Sequence, residues 1–157
     1  MNLTLFIDGA SRGNPGRAAI GVALYDGEGK AIKEVGLPIG VTTNNVAEYV
    51  ALLYGLTEAL LWRVKPAPVG SKPDKGSEQE PAPACSQQGS ITVYSDSELV
   101  INQVTGRFQV KNEDIKRLHL LAKHLLSGFE KVSFEKLSHD ENKTADSLAN
   151  KALDNVS

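Results

Sequence analysis

Three early runs rich in apolar residues, over 2–8, 18–26 and 31–40, predict three strands. Two glycine-containing breakers separate them, Gly13-Asn14-Pro15-Gly16 and Asp26-Gly27-Glu28-Gly29. Links this short make consecutive strands antiparallel. The pattern then changes to that of a helix over 44–62, with Val46, Val50, Leu53 and Leu60 on one face. Thr42, Thr43, Asn44 and Asn45 offer N-cap side chains, and Glu48 is spaced to close a capping box from Asn45. A fourth strand, 91–95, ends at Asp96. Helices follow over 97–105, stopped by Gly106, and over 112–127, striped by Ile115, Leu118, Ala122 and Leu125. A fifth strand over 131–137, a polar loop over 138–142 and a helix over 143–154 complete the pattern.

The order β-β-β-α-β-α-α-β-α predicts an α/β fold. Its sheet has five strands and is mixed: the first three are antiparallel, and strands 1, 4 and 5 are parallel because helices connect them. Helices cover both faces. Ligands in such sheets gather at the strand ends where the topology switches.

Composition changes this picture in one place. The segment 64–90 holds five of the seven prolines, among Gly, Ser, Gln and mixed charges. It predicts a disordered insertion within a single domain spanning 1–157. Elsewhere, 41% hydrophobic and 23% charged residues are ordinary for a soluble globular chain. The net charge of −2 gives no global attraction to a polyanion, so nucleic acid would have to be held by local positive groups or by metal ions. The first apolar run is interrupted at Asp8, too early for a signal peptide, and no run approaches the roughly 20 apolar residues of a membrane span. Cys85 is the one cysteine, which excludes an intramolecular disulfide and points to the cytoplasm.

The candidate chemistry is carboxylate chemistry. Asp8 ends the first strand and opens the glycine-rich run Gly9-Ala10-Ser11-Arg12-Gly13; Asp96 ends the fourth strand. Glu48 and Asp146 fall in first turns of the first and last helices. Adjacent strands 1 and 4 would bring the two aspartates to one sheet edge, and two helix N-termini would deliver the others. Four carboxylates that close repel unless divalent cations sit among them. All-oxygen donors suit Mg²⁺ or Mn²⁺ rather than zinc. Each residue also has a plainer reading: Asp96 as a turn residue or helix cap, Glu48 and Asp146 as partners of a helix dipole. Only the set argues for a two-ion hydrolytic site.

Four segments carry a resemblance to a known family. They are Ile7-Asp8-Gly9-Ala10-Ser11-Arg12-Gly13-Asn14-Pro15-Gly16, Thr42-Thr43-Asn44-Asn45-Val46-Ala47-Glu48, Tyr94-Ser95-Asp96-Ser97 and Glu141-Asn142-Lys143-Thr144-Ala145-Asp146-Ser147-Leu148-Ala149. In this order the chain resembles type 1 ribonucleases H, most closely the compact bacterial and archaeal forms. The resemblance implies that Asp8, Glu48, Asp96 and Asp146 bind two Mg²⁺ ions, or Mn²⁺. It also implies cleavage of the RNA strand of an RNA–DNA hybrid, leaving 5′-phosphate and 3′-hydroxyl ends. His139 matches a loop position that assists the leaving group or product release, while a loop histidine is also commonly a surface residue. Asn14, Asn44 and Asn45 match residues that touch the hybrid's minor groove, Thr43 one that holds a DNA phosphate, and the backbone of Ser11, Arg12 and Gly13 approaches the RNA strand. His119 and His124, on the long helix, are expected to be surface or satisfied polar groups.

The chain departs from larger bacterial members in lacking a basic protrusion near 107–112, and Glu98 stands where some carry an amide. A monomer is the expected state. Three other functions compete: a nuclease of this fold acting on RNA duplex or structured DNA, a non-catalytic nucleic-acid-binding module, and a metal-dependent hydrolase of small phosphate esters.

Overall fold

The computed structural model describes residues 1–64 and 89–155. The elements run β1 (Asn2–Gly13), β2 (Gly16–Tyr25), β3 (Ala31–Thr42), α1 (Asn44–Arg63), β4 (Ser90–Ser95), α2 (Glu98–Val104), α3 (Glu113–Leu126), β5 (Lys131–Lys136) and α4 (Lys143–Asp154). The sheet order is β3-β2-β1-β4-β5. β1, β2 and β3 pair antiparallel, while β4 lies parallel to both β1 and β5. The predicted element order and sheet type are therefore those observed. The proline-rich segment and Cys85 fall outside the described residues. Val64 and Ser90, predicted to belong to that segment, instead cap α1 and begin β4.

Alternation along β1 sorts side chains between the two faces. Leu3, Leu5 and Ile7 enter the main core with Ile20, Val22, Leu24, Ile91 and Val93, beneath α1 and α3. The other face is thin: Ala10, Ala19, Ala152 and Leu153 form a small cluster under α4. Glycine sets that spacing. A Cβ on Gly21 would stand 1.9 Å from the Ala145 carbonyl oxygen, and one on Gly36 would stand 2.1 Å from that of Leu148. α4 therefore lies almost on the sheet backbone.

Two local expectations are corrected. β1 does not end at Asp8 but continues to Gly13 as one arm of a long hairpin, with Asp8 opposite Gly21 and Gly13 opposite Gly16. The glycine-rich run is thus mostly strand. Gly9 serves close approach rather than turning, since a Cβ there would meet the Glu48 backbone nitrogen at 2.3 Å. In α1, the predicted stripe of Val46, Val50, Leu53 and Leu60 is only half-buried. The face fully inside is Ala47, Glu48, Tyr49, Ala51, Leu52, Gly55, Leu56 and Ala59. α1 packs against both the sheet and α3, so Ala47, Ala51, Gly55 and Ala59 allow close approach while Tyr49, Leu52 and Leu56 fill the core beside them, and the predicted stripe flanks this face.

Candidate active site

β1 and β4 pair only as far as Phe6 and Tyr94. Beyond that couple the two strands part, β1 following β2 and β4 turning into α2. The opening is where the carboxylates meet. One oxygen each from Asp8, Glu48 and Asp96 lies within 4.8 Å of the others. Asp8 and Glu48 are buried, both 4% exposed, and Asp96 is half-buried. Asp146, half-buried on α4, stands outside that trio but in hydrogen-bond range of Asp8. Asn150 Nδ2 donates to its Oδ1 at 3.0 Å.

The plainer readings of Glu48 as a capping or dipole residue and of Asp96 as a helix cap fail on the geometry. Thr43, not Asn45, caps α1, its Oγ1 accepting from the Val46 N–H at 3.3 Å. Glu48 therefore closes no capping box with Asn45, lies beyond the first turn, and points inward. Ser97 caps α2, accepting from the Val100 N–H at 3.4 Å, which leaves Asp96 free of capping duty. Asp146 does occupy the first turn of α4.

Electrostatics reports the crowding. Burial, then the charges of Asp96 and Asp146, pushes the Asp8 carboxyl up to about 8. Burial, then the charges of Asp8 and Asp96, raises Glu48 well above the usual carboxylate range, although the Gly9 N–H opposes the rise. One buried oxygen of Glu48, Oε2, has no hydrogen-bond partner among the described residues. A buried acceptor in a group of mutually repelling oxygens is what a hard divalent cation satisfies. The donor set fits Mg²⁺ or Mn²⁺ on this ground.

His139 reaches the same opening from the turn between β5 and α4. Its Nδ1 lies 3.2 Å from Asp96 Oδ2 and its Nε2 lies 4.0 Å from Asp146 Oδ1. The ring is exposed, and the hydrogen bond to Asp96, then the charges of Asp146 and Asp96, raise its pKa. The turn is closed by its own bonds, with Glu141 Oε2 accepting from the Ser138 N–H at 3.0 Å.

Two hollows flank the start of α1. One, of about 380 Å³, holds the four carboxylates and His139, with Ser11, Asn44 and Ser97 on its walls. The other, of about 400 Å³, is lined by Asn14, Thr43, Asn45, Gln109, Lys111 and Asn112 among others. Asn14 Oδ1 accepts from the Asn44 N–H at 3.2 Å, which joins the hairpin tip to the ridge between them. Arg12 lines neither hollow; its guanidinium pairs with Asp154 at the far end of α4. Gly13 sits at the hairpin tip with a positive φ of 114°. Glu98 is held by Lys136, 3.0 Å away. His119 Nε2 lies 3.1 Å from the Gln103 carbonyl oxygen, a satisfied polar group as expected.

Sequence reasoning passed over two polar residues that organise this region. Gln103 is buried and accepts from the Tyr49 hydroxyl at 2.8 Å, tying α2 to the helix that carries Glu48. Asn142, 1% exposed, bonds to β1. A polar residue inside a motif, at a helix start, reads as a cap, and nothing in the sequence says that it is buried.

The ribonuclease H family model matches residues 1–69, and a family model described as reverse transcriptase-like matches 86–152. Ribonuclease HI of Halobacterium salinarum is 37% identical over 151 residues, 96% of this chain and 64% of that protein. The crystal structure of ribonuclease H1 from Halobacterium salinarum superposes with a TM-score of 0.80 at 35% identity, over 99% of this chain and all (100%) of that one. The chain belongs to the type 1 ribonuclease H family. LC11 ribonuclease H1, solved in complex with an RNA/DNA hybrid, is a further relative of the same fold, at 31% identity and a TM-score of 0.75, covering 97% of this chain and 96% of that one. A bifunctional protein of Mycobacterium tuberculosis matches at 34% identity over 98% of this chain. The chain spans 64% and 36% of the length of these two curated relatives, from Halobacterium and Mycobacterium. As a ribonuclease H fold it has the expected mixed sheet, with the metal-compatible acids at the point where β1 and β4 part.

Proposed function

We propose that this protein is a divalent-metal-dependent endonuclease that hydrolyses the RNA strand of RNA–DNA hybrids, leaving 5′-phosphate and 3′-hydroxyl ends. The observation that carries the reading is the trio Asp8, Glu48 and Asp96 within 4.8 Å, with an unpartnered buried oxygen on Glu48. Asp8, Glu48 and Asp96 would hold one Mg²⁺ or Mn²⁺, and Asp8 with Asp146 a second. Bound there, such ions lower the pKa of attacking water and stabilise charge on the phosphate and the leaving oxygen.

The chain's own residues orient the substrate around that centre. Asp8 is the common member, buried within the trio with Glu48 and Asp96 and also raised in pKa by Asp146. His139 is exposed beside Asp96 and Asp146, and we assign it the proton that the leaving 3′-oxygen takes up. The ridge at the start of α1 separates the two strands of the duplex. Ser11 and Asn44 face the RNA strand, and the backbone of Arg12 and Gly13 borders it. Asn14, Thr43 and Asn45 line the second hollow, where the DNA strand runs. Amide side chains donate and accept at once, which suits a minor groove bearing 2′-hydroxyls. The lone cysteine suits action in the reducing cytoplasm, and we assign the protein a monomeric state.

Cleavage of an end-labelled hybrid in Mg²⁺ or Mn²⁺ tests the reading, with Asp8→Asn as the control. RNA-strand cleavage by the wild type alone supports it. Cleavage of RNA duplex or structured DNA in preference to hybrid, or no cleavage by a folded wild type, overturns it.

A further inference from the structure

Asn142 stands at the N-cap position of α4, yet its side chain makes no cap hydrogen bond. It turns inward, and its Nδ2 donates to the Ile7 carbonyl oxygen at 2.9 Å. Ile7 is the residue before Asp8. The Met1 carbonyl accepts from the Ser90 N–H, so by the alternation of a strand the Ile7 carbonyl also faces the β4 side. That carbonyl lies just past Phe6 and Tyr94, the last paired couple. Asn142 thus supplies a donor to β1 where β4 has turned away.

Its backbone is engaged as well. The Asn142 carbonyl accepts from the Asp146 N–H at 3.1 Å, and its N–H donates to the Ser138 carbonyl at 3.2 Å and the His139 carbonyl at 3.3 Å. One residue therefore links the strand of Asp8, the first turn of Asp146 and the turn of His139. Its Oδ1 is buried without a partner among the described residues. The bond gained at Nδ2 is set against this desolvated oxygen, so the amide's value is in placement rather than in net stability.

We infer that Asn142 is a positioning residue that sets the separation of Asp8 and Asp146, and with it the affinity of the carboxylate site for divalent metal. The inference rests on the metal-hydrolase reading above. Removing an outer partner of this kind lowers metal affinity about 10–100-fold in characterised sites.

The test is calorimetric titration of the full chain with Mn²⁺ alone, comparing wild type, Asn142→Leu and Leu153→Ala. Leu153 is buried in the small cluster under the far end of α4, so its truncation loosens the same helix without touching the bond to Ile7. Asn142→Leu is expected to bind Mn²⁺ about 10–100-fold more weakly, and to cleave hybrid with a lower kcat and an unchanged KM. Leu153→Ala is expected to lower Tm and leave Mn²⁺ affinity alone. Wild-type Mn²⁺ affinity in Asn142→Leu, or equal weakening in Leu153→Ala, overturns the inference. Should Asn142→Leu fail to fold, Asn142→Gln keeps the donor but displaces it, and the same comparison of affinities decides. Weaker Mn²⁺ binding in Asn142→Leu beside a wild type that cleaves no hybrid would remove the nuclease reading and leave the positioning role standing.

Discussion

Asp8 folds at a cost. Its carboxyl has an ordinary value of 3.8 and is pushed up to about 8 by burial and by its acidic neighbours. Between those values the metal-free folded protein keeps a proton that the unfolded chain has released, so stability falls as pH rises through that window. Asp8→Asn removes the penalty. In EDTA at pH 8 the variant is expected to gain about 2 kcal/mol, or about 4–8 °C in Tm, while losing hybrid cleavage. Near pH 4 both proteins carry a neutral group there and the gain should vanish; a Tm difference independent of pH would refute this account. His139 makes the opposite kind of prediction. It is exposed, and in the proposed reading it serves the reaction rather than the fold, so His139→Ala should keep its Tm and lose about 100-fold in kcat, with KM for hybrid unchanged. Steady-state kinetics with one hybrid substrate checks both parameters.

At the scale of elements, the site depends on how closely two helices approach β1 and its neighbours. Gly9 admits α1, and Gly21 and Gly36 admit α4. Gly21→Ala places a methyl where the Ala145 carbonyl oxygen now lies, one residue from Asp146. The helix must lift, with a loss of about 1–3 kcal/mol by urea denaturation and a drop in kcat larger than the loss of folded protein accounts for. Unchanged kcat in the folded fraction would show that α4 tolerates displacement. The pairing of β1 with β4 matters by where it stops. Were it to continue past Phe6 and Tyr94, ladder bonds would occupy the opening that now holds three acids.

For the whole molecule, the described residues that flank 65–88, Arg63 and Gly89, lie against one turn, far from the carboxylates. Arg63 Nη1 donates to the Gly128 carbonyl at 2.7 Å, and the Glu130 N–H donates to the Gly89 carbonyl at 3.1 Å. Both junctions are thus tied to the turn before β5, about 20 Å along β4 from Asp96. Replacing 65–88 with a short Gly/Ser link is expected to leave kcat and KM within about twofold, measured on the same hybrid. A larger loss would give the segment a role in substrate binding. The net charge of −2 sets the other expectation at this scale. In the proposed reading few local cations, Lys111 among them, stand ready for phosphates, so hybrid affinity measured by titration should be modest and fall only shallowly from 50 to 200 mM salt, because the slope scales with the number of phosphates neutralised.

The sequence by itself determined the order and kind of the elements, because apolar runs and helical periodicity are local properties of the chain. It also determined which four acids to watch, because each sits in one of the four motifs that carry the family resemblance. It misjudged what is settled by neighbours distant in the chain. The first strand looked finished at Asp8, yet pairing with β2 carries it on to Gly13, and α1 lying against Gly9 is what requires the missing side chain there. The stripe Val46, Val50, Leu53 and Leu60 looked like the buried face of α1, yet a helix held between a sheet and another helix buries the adjoining face of Ala47, Tyr49, Ala51, Leu52, Leu56 and Ala59 completely. Asn142 read only as the end of the polar loop before α4, and only the tertiary structure turned it toward Ile7, since burial and a partner 135 residues away are decided by packing and not by local sequence.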